Sequence, residues 1–162
     1  GLKELNRWDK PLSVTFALGI PKVKRKVIEE ISNHRIEYPV LIHPSAILGS
    51  PKYLQIGAGC IICAGCIITT NIRIGRHVIL NLACTVGHES VVGDYSSFMP
   101  TCNVSGEVTI GEASFWGTGA KIIHRKRVGD NTNIGAGAVV IDDIPDDATA
   151  LGVPAKVVHT RL

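Results

Sequence analysis

His88 and Glu89 are the two neighbouring residues whose types could do chemistry together. They lie in the segment LNLACTVGHESVVGDY, residues 80–95, among small and apolar residues. An imidazole beside a carboxylate can take a proton from an attacking group, because the acid orients the ring. A histidine and an acid at an exposed turn can equally be a solvated pair, so these residues alone leave both interpretations open.

A six-residue repeat surrounds this pair. Every sixth residue from Ile56 to Val140 is apolar, and the residue two positions earlier is small or β-branched over most of this range. Side chains two apart in a strand face the same way, so each hexapeptide predicts a short strand followed by a turn. Six turn positions carry the residues that best tolerate left-handed backbone: Gly59, Gly65, Asn71, Gly119, Asn131 and Gly137.

Three such strands would close a triangular coil of eighteen residues, and successive coils would stack about 4.8 Å apart. This pattern resembles the left-handed parallel β-helix, and the resemblance supplies the handedness. We therefore predict an all-β main domain with this fold. A flat sheet or sandwich is the poorer alternative, because its turn signals would recur roughly every eight to twelve residues.

The eighteen-residue step brings selected residues together at one turn. Gly106 would lie one coil from His88, about 5 Å away, with no side chain to keep a ligand off its backbone. A base beside a backbone N–H is what acyl transfer needs, since one removes a proton and the other stabilises the oxyanion. The full column is Thr70, His88, Gly106, His124 and Asp142.

The next column stacks two carboxylates. Glu89 and Glu107 are eighteen residues apart. Like charges at this spacing are unfavourable unless one is protonated, bound to a ligand or offset by Arg125 in the following coil. The column therefore predicts either an ion pair or a binding site at this turn.

The chain resembles the sugar O- and N-acetyltransferases of the sialic-acid O-acetyltransferase and UDP-4-amino-sugar N-acetyltransferase type in ILNLACTVGHESVVGDYSSFMPTCNVSGEVTIGEASFWGTGAKI, IGAGAVV and ALGVPAKVV. The similarity runs from about Val14 to Val158. It implies acetyl-CoA-dependent transfer to an amine or hydroxyl of a nucleotide-activated sugar. It also implies a homotrimer with active sites between adjacent β-helices.

Catalytic roles follow from the resemblance by position. His88 would be the general base on the acceptor, and Glu89 would tune or orient it. Asn81, seven residues before His88, would help to place the reacting groups.

Cofactor contacts are implied in the same way. The Gly106 N–H would hold the thioester carbonyl, and the pantetheine arm would run near Thr118 and Ala136. The basic run 125–127 is a separate observation: it predicts either a solvated face or, through Arg125, a contact with the phosphates of CoA. Members often have a second histidine where this chain has Ser97, so the resemblance assigns no cofactor contact there.

Residues 1–40 are expected to form a partial Rossmann-like segment that binds a nucleotide sugar, and residues 41–162 the β-helix domain. PLSVTFALG predicts a strand ending at Gly19, and Pro21 suits the first turn of a helix through Asn33. YPVLIHP predicts the next strand. The resemblance places Gly19 at a turn that contacts the substrate, while the Gly-rich first half of such a domain lies outside this sequence.

Composition narrows the choice of partners. The net charge is +3 and the pI about 8.7, without the basic stripe of a nucleic-acid binder. We predict no membrane span, because no apolar stretch is long enough. Five cysteines, an odd number, favour a reducing cytoplasm. Three of them form an inward column and are expected to pack in the core: Cys66, Cys84 and Cys102.

Outward-facing residues suggest further contacts. Ile61 and Ile79 would share a face one coil apart, which favours a subunit interface. The basic residues of the N-terminal helix are expected to form a solvated face: Lys22, Lys24, Arg25 and Lys26.

Three other functions remain as alternatives. One is acetylation of serine or another small molecule. Another is a zinc hydratase, which would need three converging histidines, although His77 falls at another corner from His88 and His124. The third is a scaffold without catalysis.

Overall fold

Residues 41–160 form a solenoid of triangular cross-section in the computed structural model, which describes residues 1–160. Three sheets, named faces A, B and C in the order the chain visits them, have eight, six and five strands. Strands of successive coils pair in parallel, and only the last strand of face A is antiparallel to its neighbour. The predicted left-handed parallel β-helix is confirmed.

The strands are short, as hexapeptide coils require. Face A contains Leu41–Ile42, Ile61–Ile62, Ile79–Leu80, Ser97–Phe98, Phe115–Trp116, Asn133–Ile134, Ala148–Leu151 and Lys156–Thr160. Face B contains Ile47–Leu48, Ile67–Ile68, Thr85–Val86, Asn103–Val104, Lys121–Ile122 and Val139–Val140. Face C contains Leu54–Ile56, Ile72–Ile74, Val91–Val92, Thr109–Ile110 and Arg127–Val128. A 3₁₀ helix, Pro51–Tyr53, precedes face C.

The predicted register is also confirmed. Thr85 pairs with Asn103, and Asn103 with Lys121, so each coil advances by eighteen residues. The apolar residues of the repeat are buried from Ile62 to Val140, and Ile56 at the open end is partly exposed. The three cysteines predicted for the core are buried and donate their thiols to carbonyl oxygens of the next coil.

Every sixth residue from Gly59 to Gly137 adopts positive φ, including the six predicted positions. Most of their backbone N–H groups donate to carbonyl oxygens of the preceding coil, as Glu107 does to the His88 oxygen at 2.7 Å. Residues other than Gly and Asn accept the same conformation, among them Ala83 and Glu89. Left-handed backbone is therefore a property of every turn, and at Glu89 it does not mark a site.

The N-terminal segment is a strand–helix–strand unit preceded by a further helix. Helix α1 spans Leu2–Arg7 and α2 spans Pro21–Glu29, while the strands Leu12–Ser13 and Ile36–Glu37 pair in parallel. None of these helices is long and apolar enough to cross a membrane, among the residues the structure describes.

Three predicted bounds in this segment were wrong. The strand expected over PLSVTFALG is confined to two residues. Helix α2 ends at Glu29, before Asn33, and the Asn33 side chain donates to the carbonyl oxygens of Leu5 and Trp8, both at 2.8 Å. YPVLIHP is not one strand: Leu41–Ile42 within it pairs with Ile61–Ile62 as the first rung of face A.

Helix α2 packs against the solenoid through a buried lysine. Lys24 is fully buried, and its Nζ donates to Ser97 Oγ at 2.7 Å and to the Ser96 oxygen at 3.3 Å. Burial lowers the pKa of Lys24 to about 7. The predicted solvated face is therefore wrong at Lys24, because this side chain points into the contact with face A. Ile79, the strand neighbour of Ser97, is only 7% exposed, so it is not the free outward residue that the repeat predicted.

Candidate active site

Two edges of the triangle carry the residues predicted to act. The AB edge is the set of turns that follow face A, and the BC edge is the set that follows face B. On the BC edge, backbone hydrogen bonds tie each turn to the previous coil: Glu89 N donates to Thr70 O, Glu107 N to His88 O and Arg125 N to Gly106 O, at 2.7–3.1 Å. These bonds fix the column in which the side chains stack.

The imidazole of His88 lies directly over Gly106. A methyl group added to Gly106 would come within 2.7 Å of His88 Cε1 and 2.8 Å of Cδ2, closer than atoms can pack. Only glycine at 106 leaves room for the ring in this position. The ring covers Gly106, which is buried, so contact between its backbone and a ligand requires the imidazole to rotate away.

His88 is held by Glu89 on its other side. The Nδ1 atom lies 3.2 Å from Glu89 Oε2, and both side chains are more than half exposed. With Nδ1–H donated to the carboxylate, Nε2 carries the lone pair. The pair can therefore act as a base once the ring rotates, because Nε2 is the ring atom nearest Gly106 in the observed position.

The two stacked carboxylates, Glu89 and Glu107, each have their own partner, which offsets the repulsion between them. Arg125 Nε donates to both Glu107 oxygens at 3.1 Å, while Glu89 contacts His88. The hydrogen bond from Arg125 holds the pKa of Glu107 below its usual value. Glu107 is thus an anion beside the histidine, with its charge offset by Arg125.

The AB edge carries the other predicted residues. Thr118 and Ala136 line a groove of about 450 Å³ that also contains Met99 and Phe115. A methyl group on Gly19 would lie 3.6 Å from Met99 Cε, so the N-terminal segment adjoins this edge. Asn81 lies one coil before Met99 on the same edge, and its Oδ1 accepts from the Leu82 N–H at 2.8 Å.

The predicted site residues therefore divide into two groups within one chain. His88, Glu89, Gly106 and Arg125 share the BC edge, and the groove residues share the AB edge across face B. The sequence analysis did not identify two residues at this part of the structure. They are Met99 in the groove, whose side chain gives no chemical signature, and Lys24 in the contact between α2 and face A. The spacing of Pro21, Lys24 and Ile28 on one helical face could have revealed the burial of Lys24.

His77 belongs to neither edge. It is buried between the rings of Tyr38 and Tyr95, with ring centroids 4.8 and 5.6 Å away, and burial lowers its pKa to about 4. It therefore packs as a neutral ring. Within residues 1–160 there is no group of three or more metal-ligating side chains.

The eighteen-residue coils and the edge that carries His88 define the class of protein to which the chain belongs. This class is the left-handed β-helices built of hexapeptide repeats. No family model matches the sequence. The GDP-perosamine N-acetyltransferase of Escherichia coli is 33% identical over 82 residues, which is 51% of this chain. The matched region spans only 36% of that relative.

Solved structures cover far more of the chain. The acetyltransferase domain of PglB from Neisseria gonorrhoeae, in complex with acetyl coenzyme A, is 35% identical with a TM-score of 0.89, over 97% of this chain and 76% of that one. PerB from Caulobacter crescentus, in complex with CoA and GDP-perosamine, is 33% identical with a TM-score of 0.86, over 91% and 70%. The chain belongs to the hexapeptide-repeat sugar N-acetyltransferases, and the family resemblance seen in the sequence is confirmed.

Proposed function

We propose that this protein transfers the acetyl group of acetyl-CoA to the amine of a nucleotide-activated sugar. The observation that carries the proposal is the imidazole of His88 over Gly106, with Glu89 on Nδ1. The ligands of the PglB domain and of PerB support the two substrate classes. A histidine was also the residue replaced, by asparagine or alanine, in two further structures of the Caulobacter enzyme with CoA and GDP-perosamine.

His88 acts as the general base in this proposal. As the amine nitrogen attacks the thioester carbonyl, His88 Nε2 accepts a proton, and Glu89 stabilises the imidazolium that forms. The tetrahedral intermediate then collapses, the carbon–sulfur bond breaks, and the proton passes to the leaving thiolate. A sugar hydroxyl is the second candidate acceptor, because the same base serves it.

Gly106 would stabilise the negative charge on the carbonyl oxygen. Its N–H donates to no residue in the described part of the chain, so the hydrogen is available to a ligand. Rotation of the His88 ring on substrate binding would uncover it. One such donor is worth roughly 10²–10³ in kcat in acyl-transfer enzymes.

The complete site would form between protomers of a homotrimer. His88 on the BC edge and the groove of Thr118 and Ala136 on the AB edge are separated by face B, so a neighbour's AB edge would supply the groove. Exposed apolar residues at the start of face A and the AB edge favour such an interface: Leu41, Ile42 and Leu82.

Residues 1–40 would contribute to acceptor binding. They form one strand–helix–strand unit of Rossmann type, and Gly19 adjoins Met99 at the groove. Arg125, exposed beyond its pair with Glu107, would meet a phosphate of CoA. All five cysteines are free thiols, in keeping with an enzyme of the reducing cytoplasm.

The test is acetyl transfer in His88→Ala. We expect kcat to fall by about a hundredfold or more, measured as release of free CoA with UDP-4-amino sugars, GDP-perosamine and sialic acid as acceptors. His124→Ala, in the same column two coils later, is the matched control and should retain activity. A near-normal rate in His88→Ala would refute the role of this residue, and no transfer by wild type to any sugar would refute the substrate class.

A further inference from the structure

Lys24 is a fully buried amine that the proposed reaction does not use. It lies on α2, and its Nζ donates to Ser97 Oγ at 2.7 Å and to the Ser96 oxygen at 3.3 Å. Lysine is almost never fully buried unless it has such partners. The two bonds therefore join the N-terminal segment to one coil of the solenoid.

The number of acceptors matches the neutral form of this amine. A neutral amine has two N–H groups, and here each has an oxygen to bond with. An ammonium carries a third N–H, for which the described part of the chain offers no acceptor. Burial favours the same form, because it lowers the pKa of Lys24 to about 7. Above that pH, the bonds form without the cost of a buried charge.

These bonds fix the position of α2 along face A. The other buried residues of the helix are Pro21 and Ile28, and apolar burial by itself is not directional. Arg25 adds an ion pair with Glu112, but the two side chains are 31% and 38% exposed, so this pair contributes little. Lys24 is therefore the residue that sets where the helix lies on the solenoid.

The start of α2 brings the turn that contains Gly19 to the groove on the AB edge. Lys24 is one helical turn from Ile20, whose oxygen accepts the Lys24 N–H at 2.9 Å. A methyl group on Gly19 would lie 3.6 Å from Met99 Cε, and Met99 follows Ser97 by two residues in the same coil. This one coil therefore contacts both the helix and the Gly19 turn, and it also lines the groove.

Met99 lies at the end of the groove where the two substrates would meet. It is the first in the chain of the residues that line the groove, and it follows His88 by less than one coil. In the proposed trimer, the acetyl end of acetyl-CoA would reach a neighbour's His88 at this level of the solenoid. The acceptor has to approach the same end of the groove, because the reacting atoms must be in contact.

We propose that Lys24 is a positioning residue for the acceptor, because its bonds to face A hold the Gly19 turn at this end of the groove. The inference rests on the proposed function, in which residues 1–40 contribute to acceptor binding. Without these bonds the turn is held less firmly, and ordering it on binding reduces the affinity for the acceptor. The groove is formed by the solenoid, so the affinity for acetyl-CoA does not depend on Lys24.

The test is steady-state acetyl transfer above pH 7, where the Lys24 amine is neutral, with a nucleotide sugar that wild type acetylates. Lys24→Met and Ser97→Ala should each raise the KM for the acceptor about tenfold and leave kcat and the KM for acetyl-CoA unchanged. The double variant should show no further rise, because both changes remove the same hydrogen bond. Lys26→Met removes a charge from the exposed side of α2 and is the control. Circular dichroism confirms that each variant is folded.

Isothermal titration of the intact protein measures the same role without the reaction. UDP, GDP and CoA are the separate probes. Lys24→Met and Ser97→Ala should each bind the nucleotide about tenfold more weakly than wild type does, and both should bind CoA as tightly as wild type.

The outcomes separate this inference from the proposed reaction. An unchanged acceptor KM in folded Lys24→Met and Ser97→Ala would overturn the inference, even when His88-dependent transfer is intact. An equal rise in the KM for acetyl-CoA would also overturn it, because the lysine would then support the solenoid in general. If wild type acetylates no sugar, the proposed function fails. Weaker nucleotide binding by the two variants would still support the role of Lys24 in that case, whereas unchanged or absent nucleotide binding would overturn it.

Discussion

The ring of His88 contacts the backbone of Gly106 in the next coil. The ring can take this position only because residue 106 has no side chain. The contact exists because Gly106 lacks a side chain and because both residues fall at the same position of an eighteen-residue coil. A catalytic-type histidine is therefore oriented by the repeat itself, from below by Gly106 and from the side by Glu89.

Gly106→Ala should lower the rate of acetyl transfer without lowering the stability of the fold. The backbone of Gly106 is not in the left-handed region, so the cost of alanine is the clash with the His88 ring. The exposed ring can turn away at a cost of about 1 kcal/mol, whereas a displacement of about 1 Å can reduce the rate 10²-fold. We expect kcat to fall at least tenfold with little change in the urea midpoint.

The control for this variant is Gly65→Ala. A methyl group there meets Ala83 at ordinary contact distances, 3.7–3.8 Å, and Ala83 itself adopts the same positive φ. Gly65→Ala should keep its activity. Full activity in Gly106→Ala would refute the proposed contact of the substrate with the Gly106 backbone, because the added methyl group would occupy the space beside it.

Subunit mixing tests whether the two edges act together. His88→Ala removes the proposed base from the BC edge, and Ala136→Trp should fill the groove on the AB edge. Each variant alone should be inactive, but if sites form between protomers, co-expression of differently tagged copies should restore activity at about a quarter of the sites by random mixing in a trimer. A mixture no more active than its components would place each site within a single chain.

The fold could be predicted from the sequence because one period determines most of it. An apolar residue at every sixth position specifies both the core and the register, so even the turns at Asn71 and Asn131 were predicted. The BC edge was predicted for the same reason, since residues eighteen apart must stack.

The N-terminal segment could not be predicted as well, because its bounds depend on contacts between distant residues. Helix α2 ends at Glu29, and Asn33 beyond it donates to carbonyl oxygens in and just after α1, a helix that was not predicted. Lys24 is charged by type, yet it occupies the buried stripe with Pro21 and Ile28. In both places a tertiary contact overrides the local preference.

Arg125→Met tests the ion pair on the BC edge. The hydrogen bond from Arg125 is the largest cause of the lowered pKa of Glu107, so its loss should raise that pKa toward the ordinary value. Titration of the Glu107 carboxyl carbon by NMR measures the change. Lys121→Met, which removes an exposed cation from face B, should leave the titration unaltered. An unchanged pKa in Arg125→Met would mean that the pair does not persist in solution.

Lys24 should make stability depend on pH. Burial lowers its pKa from 10.5 to about 7, so above pH 7 the unfolded chain binds a proton that the folded chain does not. Stability should therefore rise with pH, by roughly 1 kcal/mol per unit. Above pH 9 the effect is opposed by Cys60, whose pKa burial raises to about 11, so the useful window is pH 7 to 9.

Lys24→Met should abolish this rise, and Lys26→Met, on the exposed side of α2, should preserve it. His77 is the other group near Lys24 whose pKa is shifted, and its lowered pKa of about 4 keeps it neutral in this window. Urea midpoints at pH 7, 8 and 9 provide the measurement. Equal slopes in wild type and Lys24→Met would contradict a neutral buried lysine, because the amine would then remain protonated in the folded chain.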